Sequence, residues 1–135
     1  MIEFRHVSFA YDLHGEQEDI RKKDSLHDIN LKVNDGECVL LCGKSGCGKT
    51  TITRLVNGLV PNFYTGKLTG EVLLDGRNIS EMPIYEVASH VGSVFQNPRT
   101  QFFNVDTDSE IAFGMENLAL PRKQIEEKIA STAKD

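Results

Sequence analysis

The residues best suited to chemistry lie between Glu37 and Thr51, in the run ECVLLCGKSGCGKTT. Gly43, Gly48, Lys49 and Thr50 meet the spacing G-x-x-x-x-G-K-[ST], the pattern of a loop that cradles a polyphosphate. Backbone N–H groups turned inward bind the anion, and glycines at Gly43, Gly46 and Gly48 let the chain turn them there without Cβ clashes. Lys49 is placed to reach the β- and γ-phosphates, and the Thr50 hydroxyl to ligate a Mg²⁺ ion carried in by the nucleotide. Lys44 and Ser45 either add donors to the phosphates or stay solvated. Thr51 is expected to reach the α-phosphate through its N–H or hydroxyl, and Cys47 is a spacer lining the loop. A chance match in a chain of this length is roughly a few in a thousand, so a glycine-rich turn without function is the weaker reading.

The flanks of the loop supply the elements that must position it. Cys38 to Cys42 is a continuous apolar run, expected to be a parallel strand buried on both faces, and Thr50 to Val56 opens a helix ending near Asn57-Gly58. A helix N-terminus at the end of the loop adds its dipole to the anion site. Upstream, residues 2–10 alternate out of phase, which predicts a strand with a bulge near Arg5-His6. Residues 12–25 read as an exposed polar loop. Asp28 to Val33 alternates cleanly, and Asn34-Asp35-Gly36 predicts a hairpin turn into the strand at 38–42.

Downstream, Gly70 to Leu74 predicts a strand followed by a turn at Asp75-Gly76. Pro83 to His90 reads as a short helix and Val91 to Phe95 as a second buried strand, with a loop over 96–106. Thr107-Asp108-Ser109-Glu110 has capping-box form, and Pro121 opens a last amphipathic helix with Ile125 and Ile129 one turn apart. That helix shows no ending signal at Lys134-Asp135.

Composition narrows the class of function. The 135 residues suit one domain, 39% are hydrophobic, and the net charge of -5 argues against a nucleic-acid partner. Any anion must therefore be held by local geometry, a description that ATP fits. The cysteines Cys38, Cys42 and Cys47 lack CxxC spacing, so neither a disulfide framework nor a zinc site is indicated, and they read as reduced, cytosolic thiols. His6, His14, His27 and His90 are scattered without ligand spacing. No signal peptide and no membrane span is expected, so a partner would supply any membrane contact.

Taken together, these residues resemble the ATP-binding subunits of ABC transporters. The resemblance rests on Val7-Ser8-Phe9-Ala10-Tyr11, the phosphate (Walker A) loop, the hairpin at Asp75-Gly76, and VFQNPRTQFF, with Gln96 at the strand end. It implies an α/β fold: a partial P-loop NTPase core with an antiparallel β region, lacking the C-terminal half. In it Tyr11 would stack on adenine and Gln96 would contact Mg²⁺ and the attacking water. On the residues alone, Tyr11 is a strand-end aromatic and Gln96 a capping amide.

NGLVPNFYTGKLTGEV, FQNPRTQFF and EIAFGMENLALP are most similar to the energy-coupling-factor group, importers of vitamins and metal ions. That resemblance implies a second ATPase subunit and a transmembrane coupling subunit docking near Gln96 to Phe103, and so a peripheral place on the cytoplasmic face of the membrane. The family's signature motif, Walker B Asp, catalytic Glu, D-loop and switch His have no counterpart in these residues. The chain by itself is therefore expected to bind ATP without hydrolysing it, with Lys49 and Gln96 as its share of the catalytic set. An exposed sheet edge or apolar face is expected for the same reason. Two other classes fit the phosphate loop: a stand-alone nucleotide-binding module, and a small kinase, against which the arrangement of Tyr11 and Gln96 argues.

Overall fold

In a computed structural model of the chain, residues 1–12 and 26–134 are described, and they form two compact units, Met1–Gly92 and Ser93–Asp135. The polar loop expected over 12–25 lies, beyond Asp12, outside the described residues.

The first unit is built on an antiparallel sheet of order β2-β1-β3-β4, with β1 at Ile2–Tyr11, β2 at Leu26–Val33, β3 at Gly66–Leu74 and β4 at Arg77–Asn78. The phase change along β1 has its expected cause. Pairing with β2 shifts register between Phe4 and Val7, and pairing with β3 shifts between Arg5 and Ser8, so the strand bulges on both edges. His6 sits at the bulge with φ 49°, and Asn30 Oδ1 accepts its N–H at 2.9 Å. The extra residue turns both Phe4 and Val7 inward, and Phe4, Val7 and Phe9 are all buried. Beyond the bulge, Ser8 to Tyr11 lie opposite Thr69 to Gly66, which carries β1 through to Tyr11.

Over this sheet pack α1 (Lys49–Val56), the helical turn α2 (Leu59–Asn62) and α3 (Ile84–His90). Leu55, Val60, Ile79 and Val87 join the β-strand residues in one core. Each such side chain contributes ~1.5–3 kcal/mol by leaving water, and together they seat α1 firmly. Helix α1 ends at Asn57 as expected, and the turn at Asp75-Gly76 pairs Leu74 with Arg77, so VLLD is a hairpin arm.

Three expectations about strands need correction. Residues 38–42 and 91–95 form no strand, with Leu40 85% and Val94 84% exposed. A parallel strand exists only through a neighbour's N–H and C=O groups, and among the described residues nothing pairs with either run. For the same reason no hairpin joins 28–33 to 38–42. Asn34-Asp35-Gly36 does turn, with Glu37 N–H donating to Asn34 O at 3.1 Å, but β2 pairs with β1 instead. Cys38 and Cys42 are exposed rather than buried, and Cys47 of the phosphate loop is exposed as well. The expected exposed apolar face is present in these runs.

The second unit holds a 3₁₀ turn at Pro98–Gln101, α4 at Thr107–Asn117 and α5 at Arg122–Thr132. Helix α4 starts one residue earlier than the capping-box reading. Asp106 is the N-cap and accepts from Ser109 N–H at 2.8 Å, because a carboxylate here reaches the third helical amide and draws on the helix dipole. Glu110 turns back to take the N–H groups of Phe103 (3.1 Å) and Asn104 (2.9 Å). Phe103 stacks on Phe113 with centroids 5.3 Å apart.

Candidate functional site

The phosphate loop is a set of turns ending on the first residue of α1. Gly48 is the N-cap at φ 94° and is buried, with Gly46 at φ 75°. Both values lie in the left-handed region that side chains resist, which is why the motif has glycine there. Cys47 N–H closes on Lys44 O at 3.3 Å, and regular helical bonding begins with Ile52 N–H to Gly48 O at 3.0 Å. The amides of Lys49 and Thr50, in the first turn, have no acceptor within the helix, so they face the loop as donors for an anion.

Lys49 folds back into this cup. Its Nζ donates to Gly43 O and Lys44 O, both at 2.8 Å, and lies 3.5 Å from Cys47 Sγ. Both acceptors are exposed carbonyls of the loop itself, so the ammonium is already held within the turn that would surround a phosphate. The Thr50 side chain is exposed beside it, while Thr51 is buried at 1% exposure. Lys44 and Ser45 are exposed on the loop.

Tyr11 comes to the same helix from β1. Its hydroxyl lies 3.1 Å from Thr51 Oγ1 and accepts from Arg54 NH1 at 3.0 Å. Phe9 and Tyr64 meet its ring at 81° and 88°, so neither lies parallel on it. The structure thus gathers Tyr11, Gly43 to Gly48, Lys49, Thr50 and Thr51 around the start of α1. Gln96 belongs to the second unit, where it is exposed. The side chain holding that segment is Gln101, which accepts from Phe95 N–H at 2.9 Å and donates to Ser93 O at 3.0 Å.

Sequence reasoning missed two residues of this cluster. Arg54 places its guanidinium 4.0 Å over the Tyr64 ring while bonding Tyr11. Helical spacing could have found Arg54, since it follows Thr51 by three and shares its face. Tyr64 carries no local signal, because only the return of the chain into β3 brings it to Tyr11. No group of three or more His, Cys, Asp or Glu side chains that could hold a metal ion occurs among the described residues. No helix among them is long and apolar enough to cross a membrane.

The family model described as ABC transporter matches residues 26–133. A provisionally named ABC transporter ATP-binding protein of Treponema denticola is 50% identical over 135 residues, covering 100% of this chain and 26% of the relative. One from Methanosarcina mazei is 40% identical over 134 residues, 99% of this chain and 22% of the relative, and one from Pyrococcus abyssi is 40% identical over 129 residues, 96% and 44%. The chain thus spans about a quarter of the length of the first of these. A phosphate loop capping α1, an antiparallel sheet delivering an aromatic to that helix, and a family match over most of the sequence lead to one conclusion: the chain belongs to the ABC transporter family, as part of its ATP-binding component.

Proposed function

We propose that the protein is the ATP-binding component of an energy-coupling-factor-like importer, using ATP binding and hydrolysis to drive uptake of a small solute such as a vitamin or a metal ion. The observation that carries its nucleotide step is the Lys49 ammonium held by Gly43 O and Lys44 O at the N-terminus of α1. The residues fit MgATP. First-turn amides and Lys49 suit the β- and γ-phosphates, with Lys44 and Ser45 at the rim, and the Thr50 hydroxyl, exposed at the start of α1, is the ligand assigned to Mg²⁺. The ion would supply charge neutralisation on the phosphates. This chain binds and orients: Lys49 exchanges carbonyl partners for phosphate oxygens, and Tyr11 offers its ring to adenine.

Family resemblance alone assigns Gln96 to Mg²⁺ and the attacking water, and its exposure suits that role. Phe95, Phe102 and Phe103, at 49%, 64% and 75% exposure, support a docking surface for a transmembrane coupling subunit. A second ATPase subunit and a peripheral place on the cytoplasmic face complete the proposal. Hydrolysis is assigned to the assembled protein and not to residues 1–135 by themselves.

The test is MgATP titration by calorimetry. Lys49→Ala should weaken binding roughly 10- to 100-fold, as expected for losing charge-assisted hydrogen bonds to phosphate. Thr50→Ala should chiefly remove the Mg²⁺ dependence. Unchanged MgATP affinity in Lys49→Ala would overturn the site. Co-purification with a membrane subunit, and ATP-dependent solute uptake in vesicles holding both, test the importer assignment separately.

A further inference from the structure

We propose that Arg54 and Tyr64 are positioning residues for the base platform, tying Tyr11 to the helix that carries Lys49 and Thr50. The inference rests on the reading of Tyr11 as the residue that takes adenine.

The argument starts from donor arithmetic. A guanidinium can only donate, so in the 3.0 Å contact the Tyr11 oxygen accepts from Arg54 NH1. The phenol proton is then available to Thr51 Oγ1, 3.1 Å away, and the chain of bonds runs from Arg54 through Tyr11 to Thr51. Arg54 is itself held, because its guanidinium lies 4.0 Å over the face of Tyr64. Both Arg54 and Thr51 lie on α1, one turn apart, and Lys49 opens that helix.

Tyr11 is thus fixed at its polar end to the element that fixes the phosphates. Phe9 meets the Tyr11 ring edge-on at 4.8 Å, but Tyr11 lies at the last paired position of β1, opposite Gly66, so the bonds to Arg54 and Thr51 are what tie its polar end to α1. The clamp sets the offset between the surface that meets the base and the loop that meets the phosphates. Its loss should therefore weaken ligands that use both ends and spare ligands that use only the phosphate end.

The experiment compares MgATP with Mg-tripolyphosphate, which has the phosphates and no base, on the intact protein and on Arg54→Ala, Arg54→Lys, Tyr64→Leu and Tyr11→Ala. The expected result is MgATP affinity reduced about tenfold in Arg54→Ala and Tyr64→Leu, with tripolyphosphate affinity changed by less than about twofold. Arg54→Lys keeps a donor and a cation and should recover most of the difference. If both ligands weaken equally in Arg54→Ala and Tyr64→Leu, the pair serves only the fold and the proposal fails. It fails too if neither ligand weakens. Should Tyr11→Ala leave the ratio of the two affinities unchanged, the base-platform reading falls and this inference with it. A shifted ratio in Tyr11→Ala but not in the Arg54 and Tyr64 variants overturns the positioning role alone.

Discussion

Gly70→Ala should damage this protein far more than Gly76→Ala, although the two glycines have nearly the same φ. Gly70 has φ 79° and Gly76 φ 83°, so a side chain at either position costs ~1–2 kcal/mol for entering the left-handed region. Reduced freedom of the unfolded chain returns about 0.4–1 kcal/mol in both. The surroundings differ. A Cβ at Gly76 meets nothing within 4 Å, whereas at Gly70 it would lie 2.3 Å from His6 O and 2.5 Å from Arg5 O. Those atoms are backbone, inside the bulge of β1, and cannot rotate away. Displacing them resembles overpacking, at about 1–3 kcal/mol more. Gly70→Ala should therefore cost roughly 1–4.5 kcal/mol and Gly76→Ala roughly 0–1.5 kcal/mol. Urea unfolding followed by circular dichroism reads the difference. Because the bulge sets the register that delivers Tyr11 to Thr51, Gly70→Ala should also weaken MgATP more than Mg-tripolyphosphate. Equal stability losses in the two variants would refute the reasoning.

Two further outcomes follow from the packing and the charges. Leu55→Ala, at a position 1% exposed on the buried face of the phosphate-loop helix, should lose ~2–5 kcal/mol in the same unfolding assay. The backbone N–H of Asn104, opposed by desolvation and helped by the N–H of Phe103, holds the Glu110 carboxyl below its ordinary range. A depressed carboxyl contributes order above its unfolded value of about 4.3 and loses it as pH falls through the lower folded value. Hydrogen-exchange protection factors at Phe103 and Asn104 should therefore hold from neutral pH to about 4.3 and collapse below it. In Glu110→Gln they should be lower throughout and independent of pH; protection in that variant that still tracked pH would contradict the assignment.

Much of the first unit was legible because its signals are local. The out-of-phase apolar residues of β1 reported the bulge, and the glycine spacing reported both the phosphate loop and the start of α1. Turn chemistry at Asp75-Gly76 reported the hairpin turn that ends β3. The misread elements depend on partners remote in sequence. Apolar runs at 38–42 and 91–95 carry strand composition, but a strand is a relation between two segments, and composition cannot supply the second one. The cap of α4 slipped by one residue because Asp106 and Thr107 are both good N-caps, and the choice falls to the carboxylate's reach to Ser109. Tyr11 was singled out by family resemblance, yet its contacts with Arg54 and Tyr64 were not legible, because Tyr64 joins through the tertiary fold alone.

Hydrogen–deuterium exchange of the intact protein with and without saturating MgATP tests the central claim most directly. The account predicts new protection concentrated in residues 43–51 and at Tyr11, reduced in Lys49→Ala at the same nucleotide concentration. Protection confined to other segments, or none at saturation, would contradict it.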